Sequence, residues 1–175
     1  MVSTFSRSPA GLVVRPLRTA DHEAVRRLHE RLNAYDTYMR FFTVCPAHLA
    51  ALAEAICVAD PRHYALGAFV DGTLVGVANY VALDAGDASE EVEFALVVDD
   101  DYRMHGIGTM LLTRLAAAAR QRGVTRMRAE ILAQNAMVLQ VIRDLGWSSA
   151  LHRDRAEMHL DLDLGDVPSS AVAGG

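Results

Sequence analysis

Apolar and polar positions along the chain change period several times, and the changes mark out elements. Gly11 to Leu17 alternates as a short strand closed by Pro16. Ala20 to Leu32 carries Val25, Leu28 and Leu32 on one helical face, with Thr19 placed to cap its start. Ala47 to Ala59 repeats that spacing with Leu49, Leu52 and Ile56, and Pro61 follows its end. Two strands, His63 to Val70 and Leu74 to Leu83, meet at Asp71-Gly72, a dipeptide suited to a two-residue hairpin. A loop from Asp84 to Ser89 leads to a strand over Glu90 to Val98. Alternation there puts Glu91, Glu93, Ala95 and Val97 on one face and Val92, Phe94, Leu96 and Val98 on the other. Gly106 to Gln121 is the longest helical pattern, and Gly123 stops it. Thr125 to Leu132 reads as a strand. Asn135 can cap a helix that runs to Leu145, with Gly146 as its stop, and Glu157 to Leu162 closes the pattern with a two-residue alternation.

The element order is β α α β β β α β α β. Hairpins followed by a β-α-β unit predict an α+β fold with a mixed sheet, partly parallel across the long helix. The length of 175 residues suits one domain, and 51% hydrophobic with 22% charged residues describes a globular chain. The expected organisation is a flexible start over residues 1–10, a single domain over 11–163, and a flexible tail over 164–175. With 17 basic and 22 acidic side chains the net charge is −5, which argues against a general nucleic-acid binder.

All 17 basic residues are arginine, there is no lysine, and alanine occurs 28 times. A GC-rich coding sequence explains both biases; avoidance of modification on lysine is the functional alternative. Cys45 and Cys57 stand apart, as expected of buried thiols in a reducing compartment. The first residues lack the apolar core of a signal peptide, and the stretch Ile107 to Ala119 is too short to span a bilayer and is broken by Arg114. The expected location is the cytoplasm, with no membrane and no nucleic acid among the partners.

The segment that carries chemistry is Glu91 to Thr109, where a strand runs through a glycine-containing turn into the longest helix. The start of such a helix presents unpaired N–H groups and a partial positive charge. Gly106 and Gly108 have no side chains to keep a phosphate from that backbone, Arg103 can add a cation, and Thr109 a hydroxyl. The predicted ligand is a pyrophosphate. The pattern lacks one glycine of a dinucleotide-binding fingerprint and the Gly-Lys-Ser/Thr ending of a P-loop.

Val98, the short stretch Asp99 to Tyr102, and Arg103-Met104-His105-Gly106-Ile107-Gly108 together resemble motif A of the GNAT N-acetyltransferases. The strand Met127 to Leu132, Asn135, and a helix ending Leu145-Gly146-Trp147 follow in that superfamily's order. The resemblance implies a GNAT-like fold: a mixed, mostly antiparallel sheet of about six to seven strands with about four flanking helices. It also implies acetyl-CoA as co-substrate, with no metal. Its cofactor contacts would be Leu96, Val97, Val98, Arg103, Met104, His105, Gly106, Ile107, Gly108, Thr109 and Asn135. Arg15-Pro16-Leu17-Arg18 and Tyr38-Met39-Arg40-Phe41-Phe42 narrow the likeness to the acetyltransferase domain of bacterial protein lysine acetyltransferases of the Pat type.

Transfer of acetyl to an amine requires a base, because a lysine ammonium has a pKa of about 10.4. The resemblance puts the family's catalytic Glu at Glu93, and a carboxylate inside a central strand is costly without work or partners. A solvent-facing carboxylate on a half-exposed strand is the plain alternative, and Glu91 is the reserve base. Backbone N–H groups near Leu96 to Val98 are the candidate oxyanion donors, freed by a bulge expected at Asp99 to Tyr102. Ile142 occupies the slot where many relatives carry a Tyr acid, so the thiolate leaves unaided or takes a proton from water. His105 either donates to phosphate or is an exposed loop residue. Arg120, Arg122, Arg126 and Arg128 are either a solvated helix end or a second phosphate contact. Asp84, Asp87, Glu90 and Glu91 solvate the loop or attract a cationic amine.

The resulting expectation is an acetyl-CoA-dependent N-acetyltransferase acting on lysine side chains of proteins, and the sequence leaves room for a homodimer. A small amine or a protein N-terminus as acceptor, and a non-catalytic acyl-CoA-binding regulator, are the alternatives. A lysine acetyltransferase without lysine has no side chain of its own to acetylate, and only its N-terminal amine remains.

Overall fold

The Asp71-Gly72 signal becomes a two-residue hairpin turn in which both residues take positive φ, 49° and 81°. It joins β2 (His63–Val70) to β3 (Thr73–Ala82). The computed structural model describes residues 9–32, 49–83 and 90–165. The other described elements are β1 (Leu12–Pro16), α1 (His22–Arg31), α2 (Leu49–Ile56), β4 (Glu91–Val98), α3 (Ile107–Gln121), β5 (Arg126–Leu132), α4 (Ala136–Asp144), β6 (Leu151–Asp154) and β7 (Glu157–Asp163). The segment Tyr38 to Phe42, the loop Asp84 to Ser89 and the start of the predicted second helix lie outside the described residues.

The strands form one sheet in the order β1-β2-β3-β4-β5-β7-β6. Every neighbouring pair is antiparallel except β4 and β5, which are parallel across α3 as the sequence order requires. The α+β class with a mixed, mostly antiparallel sheet is therefore the observed fold, and the described helices number four.

Alternation decides which side each strand residue faces. Val92, Phe94, Leu96 and Val98 point from β4 toward α3 and α4, where they pack with Ile107, Leu111, Leu112 and Ile142 in the larger core. On the other face α1 and α2 lie over β2 and β3, and Val25, Leu28, Ile56, Phe69, Val77 and Val97 form the smaller core. Burying each large aliphatic side chain contributes roughly 1.5–3 kcal/mol, so these two layers dominate stability. Glycines end two helices as predicted: Gly123 and Gly146 take φ of 85° and 74°. Asn135 caps α4, its side-chain oxygen accepting from the Val138 N–H at 3.2 Å.

Three expectations need correction. Thr19 is not the cap of α1. It lies in a 3-10 turn, Thr19–Asp21, and it is the Asp21 carboxylate that accepts the Arg18 N–H at 2.8 Å. The stretch Asp99 to Tyr102 is not a bulge: Asp100–Tyr102 is a 3-10 turn whose Asp99 carboxylate accepts the Asp101 N–H at 3.2 Å. The strand β6 was missing from the predicted order. It hairpins onto β7 through Arg155, whose φ of 55° is carried without the glycine that normally announces such a turn. No helix among the described residues is long and apolar enough to cross a membrane.

Candidate active site

Strand β4 organises the site because its two edges differ. Its pairing with β3 runs the whole strand, from Ala82↔Val92 to Gly76↔Val98. Its pairing with β5 stops after Glu91↔Arg126, Val92↔Met127 and Glu93↔Arg128. From Phe94 and Ala129 onward the strands part, and β5 continues against β7 alone. The fork therefore opens several residues before the position expected from the sequence.

The hydrogen-bond phase shows what faces the fork. Leu83 N–H donates to Glu91 O at 3.0 Å and Asp99 N–H to Val75 O at 2.8 Å. Odd-numbered residues of β4 thus turn their backbone groups to β3, and Phe94, Leu96 and Val98 turn theirs toward the open side. Leu96 and Val98 keep the expected orientation for donors into the fork. Val97, the third residue expected there, directs its backbone to its β3 partner Val77 and its side chain into the smaller core.

The fork leads into the turn that starts α3. Met104 and Gly106 both adopt the left-handed region, with φ of 63° and 74°. A left-handed Met that is 84% exposed is an uncommon backbone choice, of the kind that gathers N–H groups into an anion-binding concavity. Beyond it the N–H groups of Ile107, Gly108 and Thr109 begin the helix without intrahelical acceptors, and the first such bond recorded here is Met110 N–H to Gly106 O. A Cβ on Gly106 would meet open space, so the backbone there is accessible. Gly108 has a different reason. A Cβ there would lie 2.9 Å from Val141 Cγ2 and 3.3 Å from Leu96 Cδ2, so this glycine lets α3 approach α4 and β4 rather than a phosphate.

Arg103 is half-buried and held by Asp100 at 2.6 Å, which fixes its guanidinium at the mouth of the turn. His105 Nδ1 lies 2.7 Å from Arg103 O, so the donating tautomer leaves Nε2 as the outer nitrogen. Thr109 is half-buried in the first turn of α3. Asn135 gives its oxygen to the α4 cap, leaving its amide NH₂ as the group able to reach a ligand. Of the two readings of the arginine run, the position of these residues does not suit a phosphate contact at the turn. A helix of 15 residues is about 22 Å long, which puts Arg120 and Arg122 at the far end of α3 from the turn. Arg122 instead stacks on Tyr64 at 4.1 Å, while Arg126 and Arg128 point to the opposite face of the sheet, where they pair with Glu91 and Asp161.

Glu93 stands on the last rung before the fork. It is exposed, and its carboxylate makes no hydrogen bond or ion pair among the described residues. It lines a cleft of about 400 Å³ with Leu83, Arg128, Glu130, His159 and Asp161. Glu91, the reserve base, is occupied: Arg126 Nη1 approaches its Oε1 at 3.2 Å and Arg128 Nη1 its Oε2 at 3.1 Å. Ile142, in the slot of the missing acid, is fully buried in the core. The sequence singled out neither Glu130, His159 nor Asp161. Their alternation along β5 and β7 was visible, but the crossing that sets β7 beside β5 was not. Among the described residues no three His, Cys, Asp or Glu side chains are grouped to hold a metal ion.

Comparison with known proteins bears on the family and the fold. The profile of the Acetyltransferase (GNAT) family matches residues 20–147. An acetyltransferase of Pseudomonas aeruginosa is 30% identical over 140 residues, covering 77% of this chain and 71% of that protein. The GNAT domain of S. lividans PAT superposes with a TM-score of 0.76 at 24% identity, covering 93% of this chain and 99% of that one. The yncA protein of Salmonella typhimurium, solved with its cofactor acetyl-CoA, gives 0.68 at 21% identity over 89% and 95%. At these identities the two structures speak for the fold.

Proposed function

Because the chain belongs to the acetyltransferase (GNAT) family, we propose that it moves acetyl from acetyl-CoA to the side-chain amine of lysine in proteins, in the cytoplasm. The observation that carries the proposal is Glu93: a carboxylate without a partner among the described residues, on the last rung before the fork, facing a cleft.

Acetyl-CoA supplies an activated thioester. In this reading the turn from Arg103 to Thr109 holds its pyrophosphate, through the backbone N–H groups of Ile107, Gly108 and Thr109 and the Arg103 guanidinium. The open edge of β4 pairs with the amide-bearing arm and guides the thioester toward Glu93. Glu93 takes the proton from the lysine ammonium, and the free amine attacks the carbonyl carbon. A C–N bond forms as the C–S bond breaks. Leu96 and Val98, whose N–H groups face the fork, stabilise the oxygen that gains charge. The attacking nitrogen gives up its second proton to water as the bond to sulfur breaks, and with Ile142 buried where an acid would sit, the thiolate takes a proton from water.

Two features support a lysine acceptor: the carboxylates of Glu93 and Glu130 favour a cationic side chain over a neutral one, and the fold matches the GNAT domain of PAT. Incubation with labelled acetyl-CoA and a lysate, followed by mass spectrometry, should find label on protein lysines. Label confined to small molecules would sink the lysine reading. Glu93→Gln should lower kcat by about 10²- to 10⁴-fold with acetyl-CoA affinity retained. Full kcat across pH in that variant would remove Glu93 as the base.

A further inference from the structure

We propose that Arg128 is a positioning residue: with Arg126, Glu91 and Asp161 it forms an ionic clamp that fixes the rung at which β4 and β5 part. The catalytic half of this inference rests on the reading of Glu93 given above.

The parallel ladder between β4 and β5 has only three rungs, Glu91↔Arg126, Val92↔Met127 and Glu93↔Arg128. Each strand has a much longer antiparallel ladder on its other edge, β4 with β3 and β5 with β7. A short ladder that ends in a fork is free to fray from its open end, and one lost rung moves the fork by about 3.3 Å. Glu93 is on the rung that would go first.

Side chains on the polar face tie this junction together. On β4, Glu91 accepts from Arg126 Nη1 at 3.2 Å and from Arg128 Nη2 at 3.4 Å through Oε1, and its Oε2 lies 3.1 Å from Arg128 Nη1. On β7, Asp161 lies 3.3 Å from Arg126 Nε and 3.7 Å from Arg128 Nε. The two arginines of the middle strand thus hold a carboxylate on each side, with two positive and two negative charges alternating. Arg128 is opposite Glu93 in register, yet its guanidinium reaches back to Glu91. That choice straps the last rung to the first, and it leaves the Glu93 carboxylate without an ion pair. All four side chains are about a third exposed or more, so each pair is weak in global terms and acts locally.

Arg128→Met keeps an unbranched apolar stem and removes the fork of donors. It should raise amide hydrogen exchange at residues 92 and 94, whose backbone groups face β5, and shift Tm by no more than about 4 °C. It should also lower kcat by about 10- to 100-fold, the scale of a catalytic group displaced by about 1 Å, with a smaller change in acetyl-CoA affinity. Arg128→Lys, a point charge that reaches one carboxylate at a time, should recover part of kcat. The wild-type protein gives a second route that needs no variant: salt screens half-exposed pairs, so raising NaCl should speed exchange at the same amides. Unchanged exchange in both experiments overturns the clamp. Faster exchange with full kcat overturns the positioning role. A wild type that transfers no acetyl group overturns the reading of Glu93 and the catalytic half with it, while exchange alone still decides the clamp.

Discussion

The two faces of the sheet follow different rules. Toward α3 and α4, inward positions from β2 to β7 are apolar and buried, including Leu66, Phe94, Met127, Ile131 and Leu160. The opposite face divides at β4. Over β2 and β3 it lies beneath α1 and α2, with Leu28, Phe69 and Val77 between them. Over β5 and β7 it carries Arg126, Arg128, Glu130, His159 and Asp161, and no described helix packs on it. One strand serves both rules. The even residues of β4 hold the fold, while Glu91 and Glu93 sit on the half-exposed face, where a charge is inexpensive. The proposed chemistry lies where covering stops, and the backbone fork opens at the same place.

If this contrast is right, the covered face should be the less forgiving. Gly108 is its tightest test, because α3 meets both α4 and β4 there. Gly108→Val should cost about 2–3 kcal/mol by overpacking, seen as a lower urea midpoint at unchanged m. A variant with the wild-type midpoint would mean that α3 and α4 have room to spare, and the contrast between the faces would lose its main support.

What was legible in the sequence follows the same division. Elements set by one local rule were readable: the Asp71-Gly72 hairpin, the glycine stops at 123 and 146, the Asn135 cap, and both faces of β4. Features that need a distant partner were not. The fork at Glu93 depends on where β5 leaves β4, which no property of Glu90 to Val98 encodes. The arginines at 126 and 128 looked like part of one basic run until register put Glu91 and Asp161 beside them. Gly108 looked like a phosphate glycine because motif and packing call for the same residue. Strand β6 has four residues, mostly exposed, and so offered no apolar alternation to read.

The covered half of the second face invites a smaller test. Arg15 of β1 makes a bidentate pair with Asp21 at 2.8 Å, just before α1, and its guanidinium stacks over Phe69 at 4.2 Å. Hydrogen bonding from Arg15, reinforced by the Arg18 N–H, holds the Asp21 carboxyl below its ordinary range despite partial burial. Since the folded pKa is depressed, the stabilisation is present above the unfolded value of about 3.9 and is lost as pH falls through the folded one. Asp21→Asn should therefore cost about 1–2 kcal/mol at pH 7, and the gap to wild type should close at lower pH. A gap that persists undiminished at pH 2 would show that shape, not charge, ties α1 to the sheet.

The smallest expected effect on stability belongs to Cys57, just beyond α2 in the smaller core. Burial, with Asp21 adding a minor push, raises its thiol to about 11. The folded pKa is raised, so the thiol form contributes stability that is intact below the unfolded value of about 8.5 and is lost as pH climbs toward 11. At pH 8 only about one molecule in a thousand carries the thiolate, against roughly a quarter for a free cysteine. Native protein treated with a disulfide reagent at pH 8 should leave Cys57 almost unmodified, while urea-unfolded protein reacts rapidly. Peptide mapping by mass spectrometry separates this site from Cys45. Equal rates in the two states would mean that α2 lifts readily from the sheet, and then the covered half of this face would differ little from the bare one.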